Sequence, residues 1–166
     1  STGAPERSAR DLLADRRRKL DVLRDEFGVD PYGHRIDGLI PIAEARAQYD
    51  EAADQAHKDN ADASGGDRRP RVGVAGRVMQ HRVMGNLIFM QLRDSSGDLQ
   101  LAVSKKAVGQ PAFSIAKATD YGDLVVASGP LAKTKTGEIT VWAEQSSEER
   151  EAGSEGQDHP DHATAP

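Results

Sequence analysis

The spacing of apolar positions changes once along this chain, from a helical period to a period of two. In the first part, Leu13, Leu20, Leu23 and Phe27 fall on one helical stripe, with Arg16, Arg17, Arg18, Lys19 and Arg24 around the rest. Pro5 or Ser8 can start this helix, and Ser8 with Asp11 three residues on has the form of a capping box. Gly28 then stands where a C-terminal cap requires positive φ. Val29 to Arg35 is rich in turn residues, and Pro31 biases Asp30 away from helix. Ile42 to His57 is Ala-rich and predicts one short helix with little to bury, and Lys58 to Arg69 reads as a linker.

From Arg71 the alternation is strand-like. Val72, Val74 and Val78 face one way, with Gly76 placed as glycine is at a bulge or bend. The run Arg82 to Asp94 reads as a strand in which Ile88, Met90 and Leu92 alternate with Leu87, Phe89, Gln91 and Arg93. Ser95-Ser96-Gly97 makes a hairpin turn, after which Leu99, Leu101 and Val103 oppose Asp98, Gln100 and Ala102. Pro111 opens a short helix around Ala112–Ala118, Leu124 to Leu131 predicts a fourth strand, and Glu138 to Ala143 a fifth after the Lys133–Gly137 turn. Five strands with a helix between the third and fourth is the order of the OB-fold, a small Greek-key barrel that closes its own edges. The expected class is mainly β. A basic amino-terminal helix (1–27) leads through an extended segment, short helix and linker (28–67) to a five-stranded OB-fold barrel (68–144). A disordered acidic tail (145–166) follows.

Composition narrows the partners. With 37% hydrophobic and 30% charged residues and a mean hydropathy of −0.64, a core over about half the chain fits better than one over all of it. No cysteine is present, which removes disulfides, thiolate nucleophiles and cysteine-held metals. No apolar run approaches a membrane span and no signal-peptide core opens the chain, so a soluble, intracellular protein without a membrane partner is expected. The net charge of −5 is unevenly spread: +1 over 1–27, −6 over 28–67, +6 over 68–142 and −6 over 143–166. A polyanionic partner would therefore meet the barrel segment, the one substantially basic part.

Strand parity puts Leu87, Phe89 and Gln91 on the face opposite the Ile88/Met90/Leu92 row, and Gln100, Glu138, Thr140 and Trp142 share that outward parity. An outward Phe89 can stack a splayed base, while Gln91, Gln100 and Glu138 can hydrogen-bond base edges. A carboxylate such as Glu138 suits a base with a ring N–H, uracil or guanine, and Lys133 and Lys135 beside it restore attraction to phosphate. The competing reading makes Phe89 core and Glu138 turn chemistry, and a one-residue slip would decide for it. Arg16 to Lys19 likewise reads either as a solvated face paired with Asp15, Asp21 and Asp25, the favoured reading, or as a phosphate-contacting face. His34 has no second ligand at metal spacing, and His159 and His162 flank Pro160 in the tail, so no metal site is expected. No catalytic arrangement emerges.

The chain resembles the bacterial-type lysyl-tRNA synthetases. The matching residues are Arg17-Arg18-Lys19-Leu20, Leu23-Arg24, Gly28-Val29-Asp30-Pro31-Tyr32 and His34-Arg35. Within the barrel they are Val74–Met79, Arg82-Val83-Met84-Gly85, Phe89, Leu92, Asp94, Gly97, Leu99-Gln100-Leu101 and Tyr121–Val125. The most specific is Lys133-Thr134-Lys135-Thr136-Gly137-Glu138-Ile139. The resemblance implies a domain that binds a uridine-rich lysine tRNA anticodon. It further implies Phe89 stacked on a base, Arg82 and Gln100 on bases or backbone, Glu138 reading a uracil, and backbone attraction from Arg77, Arg82, Lys133 and Lys135. It implies a cytoplasmic location and a homodimer formed through the parent enzyme. Asn86 stands where that family usually has Lys, and Arg93 where Gln is common. The segments Leu87-Ile88-Phe89 and Leu92-Arg93-Asp94 are also similar to aspartyl-tRNA synthetase, against which the Lys133–Glu138 run decides. No catalytic motifs follow the fifth strand, so no cofactor is expected here. ATP and magnesium are expected only for a catalytic domain, and this polypeptide is expected not to aminoacylate tRNA alone. The alternatives are a stand-alone single-stranded nucleic-acid-binding OB protein and a dimerisation or interaction module.

Overall fold

The computed structural model describes residues 8–30, 35–60 and 66–145. The expectations for Pro5, Pro31, His34, the middle of the linker and nearly all of the acidic tail with His159 and His162 lie outside the described residues.

Helix α1 (Ala9–Asp25) has the predicted capping box: Ser8 Oγ accepts from the Asp11 N–H, and the Ser8 N–H donates back to the Asp11 carboxylate. Gly28, at φ 64°, ends it as predicted, with its N–H on the Arg24 carbonyl and the Val29 N–H on Leu23. The apolar stripe finds only partial cover, and no residue of α1 is fully buried. The single helix expected over Ile42–His57 is instead two, α2 (Ile42–Ala47) and α3 (Glu51–Asp59). Asp50 divides them, because its carboxylate accepts from the Ala53 N–H and caps a new helix. Nor do they bury little: Ile42 and Ala45 have no exposed surface and join the barrel core.

The strands are β1 (Arg71–Met84), β2 (Leu87–Arg93), β3 (Asp98–Ser104), β4 (Leu124–Lys133) and β5 (Ile139–Trp142). They close into a barrel in the order β1-β2-β3-β5-β4, with β3 and β5 parallel and the other pairs antiparallel. The run Arg82 to Asp94 is therefore not one strand. Gly85, at φ 62°, turns the chain at Gly85-Asn86, and Arg82 belongs to β1. The interior holds Val72, Val74, Val78, Ile88, Met90, Leu92, Leu99, Leu101, Leu131 and Val141, each at most 5% exposed. Each such side chain contributes about 1.5–3 kcal/mol of burial free energy.

Gly76 is not the bulge that its position suggested. The extra residue is Met79, between the pairs Val78–Leu92 and Gln80–Gln91. Gly76 answers close packing instead, since a Cβ there would come within 2.9 Å of the Leu92 Cβ. Helix α4 (Lys105–Ala118) lies between β3 and β4 in the predicted place but starts earlier than Pro111. Gly109 breaks it at φ 80°, so that Lys105 and its neighbours form a first turn. Among the described residues no helix is long and apolar enough to cross a membrane.

Candidate nucleic-acid interface

Residues opposed across a strand pair share a face, so the register arranges the outer surface in rows. The first row runs Arg82–Phe89–Ala102–Trp142 across β1, β2, β3 and β5. The Arg82 guanidinium carbon stands 6.0 Å from the Phe89 ring centre, and Phe89 meets Trp142 edge-on at 6.4 Å and 78°. Ala102 between them is fully covered. Phe89 is half-buried beside the buried Ile88 and Met90, which is the parity predicted for a stacking platform.

The second row is Gln80–Gln91–Gln100–Thr140. Thr140 has outward parity, as predicted, but no exposed surface. Its hydroxyl, 2.8 Å from Gln100 Oε1 and 3.0 Å from the Glu138 carbonyl, serves to hold the Gln100 amide. In the third row, Arg77–Arg93–Asp98, Arg93 clasps Asp98 through two bonds of 2.6 and 2.8 Å. That clasp holds the Asp98 carboxyl below the usual carboxylate range. Arg77 Nη1 donates to the Gly122 carbonyl at 2.5 Å, so this cation also braces the loop before β4.

Glu138 ends a turn built by the Gly137 N–H on Thr134, the Thr134 N–H on Glu138 and Gly137 at φ 85°. Its Oε1 lies 3.3 Å from Arg46 Nη1 on α2, which also donates to the Asp98 carbonyl at 3.3 Å. Lys135 is exposed at the tip of this turn. Lys133 is directed elsewhere: its Nζ sits 4.8 Å over the Tyr49 ring and 3.7 Å from Glu51.

A buried carboxylate anchors this end of the site. Asp54, 1% exposed, accepts at Oδ2 from the Tyr49 hydroxyl at 2.8 Å, Lys58 Nζ at 2.9 Å and the Lys133 N–H at 2.9 Å. Burial pushes the Asp54 carboxyl up, but these donors outweigh it and leave the carboxyl below its ordinary value. Burial, with the neighbouring carboxylates, pushes the Tyr49 hydroxyl up to about 12. The basic run of α1 follows the paired-face reading at Arg18, and Arg16 and Lys19 instead meet the loop before β4. Arg18 pairs with Asp15 along the helix, whereas Arg16 donates to the Tyr121 carbonyl at 3.3 Å and Lys19 reaches Asp120 at 2.5 Å.

The structure brings Arg82, Phe89, Gln91, Gln100 and Glu138 onto one face, puts Arg77 at its edge, and turns Lys133 toward α3. Sequence reasoning missed Arg46 and the Asp54 anchor. Both depend on where α2 and α3 dock, which no local pattern encodes.

The barrel and the chain around it resemble known proteins. The tRNA anti-codon family, described as an OB-fold nucleic acid binding domain, matches residues 72–146. The lysine–tRNA ligase of Enterococcus faecalis is 37% identical over 134 residues, covering 81% of this chain and 25% of the relative. That of an Anaeromyxobacter species is 38% identical over 140 residues, covering 81% and 24%. The chain thus spans about a quarter of the length of the curated relatives it matches. Among solved structures, asparaginyl-tRNA synthetase from Pyrococcus horikoshii with asparaginyl-adenylate matches at 29% identity and a TM-score of 0.44, covering 46% of this chain and 18% of that one. With the family match over the whole barrel and lysine–tRNA ligases similar over four fifths of the chain, the barrel belongs to the anticodon-binding OB-fold domains of aminoacyl-tRNA synthetases.

Proposed function

We propose that this chain binds the anticodon loop of a tRNA with a uridine-rich lysine anticodon, and that it does so as part of a lysine–tRNA ligase. The observation that carries the reading is the Arg82–Phe89–Ala102–Trp142 row beside Gln100 and Glu138. It sets a half-buried aromatic face, a cation and base-edge hydrogen-bonding groups on one side of a rigid barrel. A splayed base stacks on Phe89, and Glu138 accepts from a ring N–H, which uracil has and cytosine lacks. Arg82 and Lys135 attract phosphate, and Arg77 adds positive field at the edge of the face. The barrel holds the anticodon so that acylation proceeds at the other end of the tRNA. That step, with its ATP and magnesium, belongs to residues other than these 166. Homodimer formation and a cytoplasmic location are part of the same proposal through the parent enzyme.

The test is a titration of anticodon stem-loops at fixed salt. A loop with a lysine anticodon should bind at least tenfold tighter than one with an unrelated, uridine-free anticodon. Phe89→Ala should cost about 1–3 kcal/mol of RNA binding. Equal affinities would replace this reading with general single-strand binding. No loss of RNA binding on Phe89→Ala, with a changed oligomeric state, would replace it with an interaction module.

A further inference from the structure

The last turn of α2 places a cation against the proposed base-reading carboxylate, and the fold does not require it there. Helix α2 is held by the Ile42 N–H on Asp94 Oδ2 and the Ala43 N–H on Ser96 Oγ, both at 2.9 Å, and by the fully buried Ile42 and Ala45. Arg46 adds little to that docking. Its pair with Glu138 is open to solvent, with the two side chains 42% and 40% exposed, and such pairs contribute little to stability. What the pair changes is the chemistry of the face. A lone carboxylate among bases repels the phosphates on either side, whereas the Arg46–Glu138 pair is neutral. Arg46 engages Oε1, which leaves Oε2 as the acceptor available to a base, next to guanidinium N–H donors. The second bond of Arg46, to the Asp98 carbonyl, ties the guanidinium to the β3 edge of the same face.

We propose that Arg46 is a specificity-determining residue of the RNA site, donating to the O4 carbonyl of a uracil whose ring N–H is accepted by Glu138. This rests on the reading of Glu138 given above. The donor and acceptor groups standing side by side match a ring N–H flanked by a carbonyl, the edge of uracil. Cytosine presents the reverse: its ring nitrogen is an acceptor facing the carboxylate, and its amino group is a donor facing the guanidinium. Both contacts then repel. Arg46 therefore acts on discrimination between bases more than on affinity for RNA in general.

The experiment uses the 166-residue chain and two fluorescent anticodon stem-loops that differ only in loop uridines or cytidines. Dissociation constants are measured at one salt concentration for the wild type and for Arg46→Ala, Arg46→Lys and Glu138→Gln. The wild type should favour the uridine loop by about tenfold or more, the scale of one charge-assisted hydrogen bond. Arg46→Ala should reduce that preference below threefold while changing cytidine-loop binding less than threefold, and Arg46→Lys should restore part of it. Replacing the uracil O4 by sulfur, in 4-thiouridine loops, should weaken wild-type binding and leave Arg46→Ala indifferent, whereas 2-thiouridine loops should bind the wild type as uridine loops do; sensitivity to 2-thiouridine alone would overturn the proposal. If Arg46→Ala keeps the full preference while Glu138→Gln loses it, the proposal for Arg46 fails and the reading of Glu138 stands. Equal weakening of both loops would make Arg46 a general cation and also overturn the proposal. If the wild type shows no preference, the anticodon reading fails, and this inference with it.

Discussion

Replacing Asp54 by Ala tests whether one buried carboxylate joins α3 to the turn that carries Glu138. Asp54 Oδ2 accepts from the Tyr49 hydroxyl, Lys58 Nζ and the Lys133 N–H, all within 2.9 Å. Two of these donors are themselves sheltered, and a hydrogen bond to a charged acceptor contributes about 1.5–3 kcal/mol each, roughly 3–6 together. Lys58, 47% exposed, adds under about 1 kcal/mol. Against this stands the cost of desolvating the carboxylate, whose Oδ1 is buried without a hydrogen bond, at about 1–3 kcal/mol. The net loss expected for Asp54→Ala is about 2–4 kcal/mol, a large part of the roughly 5–15 kcal/mol of a typical domain.

Urea unfolding followed by circular dichroism measures this loss. The midpoint should fall by roughly 1–4 M at an m value of about 1–2 kcal/mol/M, with the slope unchanged. The wild-type advantage must also depend on pH. Because the folded Asp54 carboxyl lies below its unfolded value, its contribution is fully present above the unfolded value and is lost as pH falls through the folded one. The two stability curves should run parallel at neutral pH and converge in acid. A loss below 1 kcal/mol at pH 7, or a gap that stays constant down to pH 2, would refute the anchor.

Two further substitutions probe the frame. Gly129→Ala would put a Cβ 1.8 Å from the Trp142 carbonyl oxygen, so β4 and β5 must part where the barrel closes. Overpacking of this kind costs about 1–3 kcal/mol or more. Thermal melting should show it, and RNA affinity should fall with it because Trp142 backs Phe89. Ser8→Ala removes the side-chain half of the capping box, the Ser8 Oγ acceptor of the Asp11 N–H, and should lower α1 helicity by circular dichroism, at a cost of about 0.5–2 kcal/mol of helix stability, leaving the barrel melt unchanged.

The barrel was legible because its signal is local. Alternation at Ile88, Met90 and Leu92 and at Leu99 and Leu101 specifies inward faces, and Ser8, Gly28, Gly97 and Gly137 mark ends and turns. The connection between β1 and β2 escaped notice because Gly85-Asn86 lies inside a run of apolar residues that reads as continuous strand. The division between α2 and α3 is a single Asp50 cap in an Ala-rich stretch, where helix propensity predicts continuity. The interface was legible as far as strand parity reaches. The partners of Glu138 and Lys133 were not, because Arg46, Tyr49 and Asp54 arrive from helices outside the barrel and their docking is a tertiary fact.

Arg82 stands beside Phe89 because β1 absorbs Met79 as a bulge instead of continuing strict alternation through it. Along β1, Val72, Val74 and Val78 point into the barrel, and strict alternation would carry Gln80 and Arg82 inward after them. Met79 is the added residue: Val78 stands opposite Leu92 while Gln80 stands opposite Gln91, its immediate neighbour on β2. Gln80 and Arg82 therefore turn outward, and His81 takes the inward side opposite Met90, where its Nε2 lies 2.9 Å from the Ala116 carbonyl of α4. Deleting Met79 leaves Gln80 directly after Val78, in the place opposite Gln91 that it already holds, so Arg82 stays against Phe89. The deletion should keep RNA affinity within about threefold, since no phosphate or base contact is removed, although β1 loses some of its bend. A deletion variant that remains folded yet loses RNA binding more than tenfold would mean that the bulge, rather than the register it sets, shapes the face.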